Sequence, residues 1–265
     1  MTDLLGKNVK AQIIEDIKKY QQGGLKFVGY LIFNKKSAEA EIYANQIAKN
    51  LSKLGIEYKM ILISNYQEAK QAIIEANNDD LAMIFLCRPL LVEKEESLIE
   101  LIDPNKDPDM LTSCNLGKLA KGDLNYLSGT SMAVRKIIEY YNIDLTNKKV
   151  LVLGRSVSVG LPINLMVLKK NALLQVAHSK IDLDNISSTA KNADVIILAT
   201  GKQGLIKKED LNPNQIIIDC GYHENGSGDL NFIPDVNMFT PVPGGVGPVT
   251  ISCLIENAFF LLSKK

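Results

Sequence analysis

Short apolar runs alternate with segments of helical periodicity along almost the whole chain, and this alternation restricts the possible folds more than any other feature. Residues 26–33 and 149–153 are almost entirely apolar, which is typical of strands buried on both faces of a parallel sheet. Residues 8–21 instead place their apolar side chains on one helical face. The alternation predicts an α/β fold in which parallel sheets are covered by helices.

The predicted elements form two series. Strands are expected at 26–33, 58–63, 81–86, 149–153, 173–177, 195–198, 215–219 and 238–240. Helices are expected at 8–21, 39–54, 67–77, 131–142, 159–170 and 248–262, and residues 103–113 are loop-like. We therefore expect an N-terminal domain of residues 1–120, joined by the C-terminal helix 248–265, and a Rossmann-type domain of residues 121–247.

The composition excludes several classes of protein. The 265 residues include 30 Lys+Arg and 30 Asp+Glu, so the formal net charge is zero, and binding to nucleic acid or to an acidic membrane surface is not expected. No apolar run approaches the roughly 20 residues of a membrane span, and the opening MTDLLGKNVKAQ lacks the apolar core of a secretory signal. The four cysteines are widely spaced without a CxxC pair, so we expect no metal site, no disulfides and a cytoplasmic location.

The strand predicted at 149–153 runs directly into a glycine loop. Gly154 ends the strand and Gly160 begins the next helix, as in folds where a tight turn brings a helix N-terminus close to ligand phosphates. The G-x5-G spacing alone fits an ordinary strand-to-helix turn equally well. Arg155, one of only three arginines in the chain, and the adjacent Ser156 favour the ligand-binding interpretation.

Further polar and glycine residues follow the next predicted strands. His178-Ser179-Lys180 stands where a Rossmann fold places the adenosine ribose, and the absence of an acid there favours NADP over NAD, although Asp182 and Asp184 follow closely. Thr200-Gly201 and Gly221-Tyr222 end two more strands on the same expected sheet edge. Each glycine alone could be an ordinary turn residue, whereas three such turns along one edge indicate a ligand site.

The segment 240–250, TPVPGGVGPVT, holds three glycines and three prolines in eleven residues. Such a loop is rigid and nearly free of side chains, so its backbone can lie against a flat ligand. The alternative is a structural turn before the last helix, which the density of special residues makes the weaker interpretation.

These segments together resemble the methylenetetrahydrofolate dehydrogenase/cyclohydrolase (FolD-type) family. The matching stretches are GRSVSVGLP, ADVIILATG, IIDCG and above all TPVPGGVGPVT, with weaker matches in GKNVKAQI, around Tyr43 and in IDPNKDPD ending at Asp109. The resemblance implies two α/β domains with a cleft between them, a Rossmann-type NADP-binding half, and a homodimer. It also implies hydride transfer from 5,10-methylenetetrahydrofolate to NADP, followed by hydrolysis of the methenyl cation to 10-formyltetrahydrofolate.

The resemblance also implies roles for individual residues. The cofactor-binding residues would be Gly154, Arg155, Ser156, Gly160, Ser179, Thr200, Tyr222 and Gly247. The substrate-binding residues would be Tyr43, Asp109, Pro243, Gly244 and Gly245. Tyr43 and Asp109 would also be the catalytic pair, with the Asp109 carboxylate accepting hydrogen bonds from the pterin ring.

The sequence departs from the family pattern on the folate side. The family's catalytic lysine, four residues after the tyrosine, is Ile47 here, and Lys49 is rotated off that helical face. The assisting glutamine is replaced by Cys87 or a neighbour, the glycine and phenylalanine after the aspartate by Met110 and Leu111, and a proline-rich loop by 128–131. Hydride transfer mainly needs alignment, whereas hydrolysis needs a group that moves protons. We therefore expect dehydrogenase activity with weak or absent cyclohydrolase activity.

Two alternatives remain open from the sequence. A degenerate homologue could bind NADP without turnover, which the loss of the lysine and glutamine favours and the intact Tyr43, Asp109 and glycine-rich loop oppose. A dehydrogenase for a modified pterin carrier would also show altered folate-side residues. Cys87 itself is either a buried small residue, the usual fate of a free cysteine, or a functional replacement.

Overall fold

The computed structural model describes residues 2–264, and the predicted strands and helices are present to within two residues at either end. The strands are β1 (Thr2–Asp3), β2 (Val28–Asn34), β3 (Glu57–Ile63), β4 (Ala82–Leu86), β5 (Lys149–Leu153), β6 (Leu173–Ala177), β7 (Val195–Leu198), β8 (Ile216–Asp219) and β9 (Met238–Phe239). The helices are α1 (Gly6–Gln22), α2 (Ala38–Lys53), α3 (Tyr66–Asn78), α4 (Glu95–Ile99), α5 (Ser113–Ala120), α6 (Gly129–Tyr140), α7 (Gly160–Lys169), α8 (Leu183–Lys191) and α9 (Gly247–Leu262).

Four of these elements have no counterpart in the sequence pattern: β1, α4, α5 and α8. Strand β1 has two residues and α4 has five, which is too short for periodicity to be visible. Helix α8 buries only Ile186 and Ala190, so its apolar stripe is thin. The segment expected as a loop at 103–113 contains a 3-10 turn, Pro104–Lys106, and leads directly into α5.

The chain divides into two compact units. The six-stranded unit consists of the residues up to Gln12 together with Leu119–Cys253, and the three-stranded unit consists of Ile13–Lys118 together with the residues from Leu254 onward. Helices α1 and α9 therefore each contribute residues to both units.

The sheet of the six-stranded unit is parallel throughout, with the strand order β1-β9-β8-β7-β5-β6. The chain order reverses between β5 and β7, so the carboxyl ends of these strands form the switch point at which open α/β sheets bind ligands. Strand β5 is buried from Val150 to Leu153, as expected for a strand covered on both faces. Strand β1 brings the start of the chain to one edge of this sheet.

The sheet of the three-stranded unit is also parallel, with the order β3-β2-β4. Helix α2 begins after Ser37, whose side chain accepts a hydrogen bond from the Ala40 backbone N–H. Acidic residues in the first turn of α2 stabilise the helix through their interaction with the positive end of its dipole. Its buried stripe is Ala40, Ala44, Ile47, Ala48 and Leu51. None of the helices within residues 2–264 is long and apolar enough to cross a membrane.

Candidate active site

The turn after β5 requires both of its glycines. Gly154 has φ +145°, a conformation that L side chains rarely adopt, and a β carbon there would overlap the carbonyl oxygen of Ala199. A β carbon on Gly160 would overlap the backbone of Gly154 and Arg155. Helix α7 therefore starts in direct contact with the end of the strand, which is the close approach that a dinucleotide-binding turn needs.

The loop between these glycines is open to solvent on one side and anchored on the other. Arg155 and Ser156 are exposed. The Ser156 hydroxyl accepts a hydrogen bond from Gly160 N at 3.2 Å, so it satisfies the first backbone N–H group of α7. The Gly154 carbonyl accepts a hydrogen bond from the Nδ2 atom of Asn164 at 3.2 Å. Asn164 is buried and lies one turn into α7, so the helix itself holds the loop.

Two buried serines are hydrogen-bonded to the C-terminal end of the same loop. The Ser128 hydroxyl donates to the Ser131 hydroxyl at 2.8 Å, and the Ser131 hydroxyl donates to the carbonyl of Val159 at 3.1 Å. Both side chains are almost fully buried. The segment 128–131, which departs from the family pattern, thus fixes the residue immediately before Gly160.

The other residues predicted to bind the cofactor follow neighbouring strands of this sheet. Ser179 is exposed just after β6, Thr200 lies after β7, and Tyr222 is 74% exposed after β8. The Thr200 N–H and hydroxyl both donate to the Oδ2 atom of Asp229, each at 2.8 Å. The polar groups of Thr200 are therefore directed at a protein carboxylate, which the sequence did not indicate.

The loop at 240–247 is held by its own backbone and by the start of the chain. Gly245 N donates to the carbonyl of Pro241 at 2.6 Å, and Gly244 has φ +118°. Gly6 N donates to the carbonyl of Gly244 at 2.8 Å, and a β carbon on Gly6 would overlap the carbonyl oxygen of Gly245. Pro243 and Gly247 are exposed. The glycine-rich loop thus presents backbone and a proline ring to solvent.

Gly6 is a residue that sequence reasoning missed. It begins α1, and the strand before it pairs with β9, where Thr2 aligns with Met238 and Asp3 with Phe239. A glycine at the start of an amphipathic helix could have indicated a close backbone contact, but the identity of its partner depends on a segment over 230 positions away in the sequence. Only the sheet pairing brings the two together.

The three-stranded unit brings Tyr43, Cys87 and Asp109 close enough to interact electrostatically. Burial raises the pKa of the Tyr43 phenol well above its usual value, and electrostatic interaction with Asp109, and with Cys87 where its thiol ionises, raises it further. Burial, with a smaller contribution from Asp109, raises the pKa of the Cys87 thiol to about 12. Both groups therefore stay protonated at neutral pH.

The position one helical turn after Tyr43 is aliphatic and closed to solvent. Ile47 is fully buried, whereas Lys49 is exposed on another face of α2. Cys87 is also fully buried, and its backbone N–H donates to the carbonyl of Ile32 at 2.9 Å. Neither Ile47 nor Cys87 offers this site a group that gains or loses a proton near neutral pH.

A buried carboxylate shapes the turn that carries Asp109. Asp107 accepts hydrogen bonds from the backbone N–H groups of Leu111 and Thr112, each at 2.9 Å, and from the Thr112 hydroxyl at 2.8 Å. Met110, with φ +54°, makes the reversal that these bonds require. The Nδ2 atom of Asn257 on α9 donates a hydrogen bond to the carbonyl oxygen of Pro108 at 2.8 Å. Asp109 therefore stands on a turn fixed on both sides.

Comparison with known proteins gives concordant matches. A family model described as the tetrahydrofolate dehydrogenase/cyclohydrolase, NAD(P)-binding domain, matches residues 128–265. The bifunctional protein FolD of Coprothermobacter proteolyticus is 34% identical over 244 residues, which cover 88% of this chain and 89% of that protein. The crystal structure of the bifunctional FolD methylenetetrahydrofolate dehydrogenase/cyclohydrolase from Campylobacter jejuni matches with TM-score 0.91 and 30% identity, covering 100% of this chain and 99% of that one. A 5,10-methylenetetrahydrofolate dehydrogenase from the silkworm, Bombyx mori, matches with TM-score 0.89 and 26% identity, covering 100% and 98%.

Proposed function

The chain belongs to the tetrahydrofolate dehydrogenase/cyclohydrolase family, and we propose that it oxidises 5,10-methylenetetrahydrofolate with a nicotinamide cofactor while hydrolysing the methenyl product poorly or not at all. The family and the α/β fold class predicted from the sequence are both confirmed. The observation that supports a limited second activity is the complete burial of the aliphatic Ile47 side chain, at the position that the sequence resemblance gives to the family's catalytic lysine.

The glycine turn of the six-stranded unit fits a dinucleotide, because a β carbon on Gly160 would fill the space between the end of β5 and α7, and one on Gly154 would overlap the carbonyl oxygen of Ala199. The backbone from Gly154 to Ser156 and the N-terminus of α7 would hold the pyrophosphate, where N–H groups and the helix dipole favour an anion. The cofactor, when bound, supplies the hydride acceptor. The backbone of 240–247 would border the nicotinamide and the pterin.

We propose NADP rather than NAD as the preferred cofactor. Arg155 is exposed in the glycine loop and Ser179 is exposed at the end of β6, where no acidic residue stands. A cation and a hydroxyl favour the 2′-phosphate, whereas an acid would favour the free ribose hydroxyls. The ratio of kcat/KM for the two cofactors measures this preference, and Arg155→Gln should lower the ratio if the guanidinium contacts the 2′-phosphate.

On the folate side, the chain's own groups would orient rather than react. The Asp109 carboxylate would accept hydrogen bonds from the aminopyrimidine edge of the pterin, and the protonated Tyr43 phenol would donate one. Hydride transfer then needs alignment of donor and acceptor, with N5 of the folate supplying electrons, and no protein base is strictly required. Hydrolysis is different, because water must lose a proton and the tuned group that the lysine would provide is missing.

The test is to follow both reactions on one preparation of the wild-type protein. With methylenetetrahydrofolate and NADP, we expect reduced cofactor to form and the methenyl product to accumulate. The bifunctional FolD of Coprothermobacter proteolyticus, assayed in parallel, serves as the control for hydrolysis. Cofactor binding without reduction would instead favour the degenerate homologue, and hydrolysis as fast as in the control would contradict the role given to Ile47.

We propose that the protein acts as a homodimer in the cytoplasm. Strand β6 is an edge strand of its sheet, and two of its apolar side chains are exposed, Leu173 by 59% and Val176 by 45%. An exposed apolar edge strand invites pairing, and a second copy would cover it. The four cysteines are free thiols, which supports a reducing compartment. Light scattering of the wild type and of Leu173→Lys tests the dimer.

A further inference from the structure

One buried carboxylate joins two loops at the ligand-facing edge of the six-stranded sheet. Asp229 is only 4% exposed. Its Oδ2 atom accepts hydrogen bonds from Thr200 N and the Thr200 hydroxyl, both at 2.8 Å, and from Gly201 N at 3.0 Å. Its Oδ1 atom lies 3.0 Å from the Nε2 atom of His223. The loop after β7 and the loop after β8 therefore converge on the same side chain.

A carboxylate in this place depends on its donors. Removing an ionised group from water is costly unless hydrogen bonds replace the lost solvation. Asp229 obtains those bonds from Thr200 and Gly201 on one loop and from His223 on the other. If either loop moved away, the carboxylate would be left partly unpaired, so it resists displacement of both.

Gly221 lets the loop after β8 approach the Asp229 carboxylate closely. A β carbon on Gly221 would overlap the Oδ1 atom of Asp229, so no other residue fits without a shift of the loop. Gly221 directly precedes Tyr222, for which the resemblance implies a place at the cofactor. The close contact therefore fixes the backbone from which the Tyr222 ring projects.

A second carboxylate anchors Asp229 to the sheet. Asp219, the last residue of β8, accepts hydrogen bonds from Gly221 N at 2.8 Å and Asp229 N at 3.0 Å through Oδ1, and from Leu230 N at 2.9 Å through Oδ2. A β carbon on Gly228 would overlap the Oδ2 atom of Asp219. The backbone of Asp229 is thus hydrogen-bonded to the last residue of β8, an interior strand of the sheet.

We propose that Asp229 is a positioning residue for the nicotinamide cofactor, holding the Thr200–Gly201 turn and the Tyr222 loop in one fixed arrangement. The inference rests on the proposed function, since it assumes that these loops bind the cofactor. It changes the role of Thr200: because its N–H and hydroxyl are bonded to Asp229, Thr200 shapes the site through its backbone rather than by donating to the ligand. His223 is the second tether of the same carboxylate.

The principal test compares two buried carboxylates in the same unit. Asp229→Asn turns an NH₂ group toward donors that need an acceptor, so we expect the dissociation constant for NADP to rise about tenfold while the KM for the folate, at saturating cofactor, stays unchanged. Asp210, later in the same β7–β8 connection, is also 4% exposed, but it accepts its hydrogen bonds from the Ser187 hydroxyl on α8 and from Lys207 N rather than from the Thr200–Gly201 turn. Asp210→Asn should lower the melting temperature without changing NADP affinity.

A pair of variants at His223 gives an independent readout if Asp229→Asn does not fold. His223→Ala removes the donor and should weaken NADP binding about threefold, whereas His223→Gln retains a donor and should restore most of the affinity. If the wild type binds no cofactor, the proposed function itself fails. If the wild type binds and both Asp229→Asn and His223→Ala bind equally well, or if Asp210→Asn weakens binding as much as Asp229→Asn, the positioning role is overturned.

Discussion

The candidate site in the six-stranded unit is built mainly from backbone, whereas the candidate site in the three-stranded unit is built from side chains. In the six-stranded unit the contacts are mostly backbone, and glycines at 154, 160 and 245 sit where a β carbon would collide. In the three-stranded unit the site consists of side chains, Tyr43 and Asp109 with Cys87 beside them.

This difference gives a physical reason for the expectation, drawn from the sequence, that the glycine-rich segments keep the family pattern while the folate-side residues depart from it. A backbone contact that only glycine permits cannot be altered without moving a strand or a helix, so the fold itself preserves it. A catalytic side chain can be exchanged without such movement. Ile47 lies in the buried stripe of α2 with Ala44 and Leu51, where an aliphatic residue packs well, so the fold accommodates isoleucine at the position that the resemblance gives to a lysine.

The largest expected effect is on the backbone site. Gly160→Ala places a methyl group against the backbone of Gly154 and Arg155, neither of which can give way without moving β5 or α7. Overpacking of this kind costs about 1–3 kcal/mol, so we expect NADP affinity to fall by up to about 100-fold. Calorimetric titration with NADP measures the dissociation constant of each variant. The control is Gly117→Ala in α5, where a β carbon meets open space and affinity should be unchanged.

The next effect addresses the side-chain site. Ile47→Lys introduces an amine whose pKa burial would lower toward neutrality, which suits proton transfer, and we expect methenyl hydrolysis to rise about tenfold. Ile47→Met, which is unbranched but does not titrate, is the matched control and should give no gain. Equal hydrolysis in the two variants would show that the remaining site, including Cys87, cannot support the reaction even with an amine present.

A smaller effect is expected at a second backbone contact of the six-stranded unit, between Gly6 and Gly245. Gly6→Ala would push against the carbonyl of Gly245 and shift the loop proposed to border the nicotinamide and the pterin, so we expect kcat/KM for the folate to fall about fivefold, with a smaller change in NADP affinity because the turn at Gly154 is not displaced. Steady-state kinetics with saturating NADP separates the two constants. Asn8→Ala, on the exposed side of the same helix, should behave as wild type. A loss confined to NADP binding would contradict this role.

The last prediction concerns the stability of the fold and its dependence on pH rather than ligand binding or catalysis. Burial raises the pKa of Asp219 from 3.8 to about 6, although three backbone N–H groups favour the ionised form. The folded chain therefore holds a proton that the unfolded chain loses near pH 4, and this carboxyl's contribution to stability declines as the pH rises from about 4 to about 6, by at most about 3 kcal/mol.

Melting curves of the wild type and Asp219→Asn across this range test the sign. The melting temperature of the wild type relative to the variant should fall by a few degrees between about pH 4 and pH 6 and then level off. A relative melting temperature that rises over the same range would mean that the backbone N–H groups dominate and that the pKa of Asp219 is lowered.

Much of the fold could be predicted from the sequence, because the local pattern of apolar residues indicates strands such as 149–153 and helices such as 159–170. Elements held by distant contacts could not. Strand β1 exists only because β9 accepts it as a partner, and α5 follows a turn organised by the buried Asp107. Neither contact leaves a pattern in neighbouring residues.

The sequence by itself determined the α/β class, the glycine turns and the family, since backbone geometry and side-chain periodicity are properties of adjacent residues. The tertiary structure alone decided that Gly6 touches Gly245, that Asp229 joins two loops, and that Tyr43 and Cys87 are desolvated close to the charge of Asp109. The physical reason is the same in each case. Close packing and desolvation depend on residues far apart in the chain, and their energies exist only once the whole chain has folded.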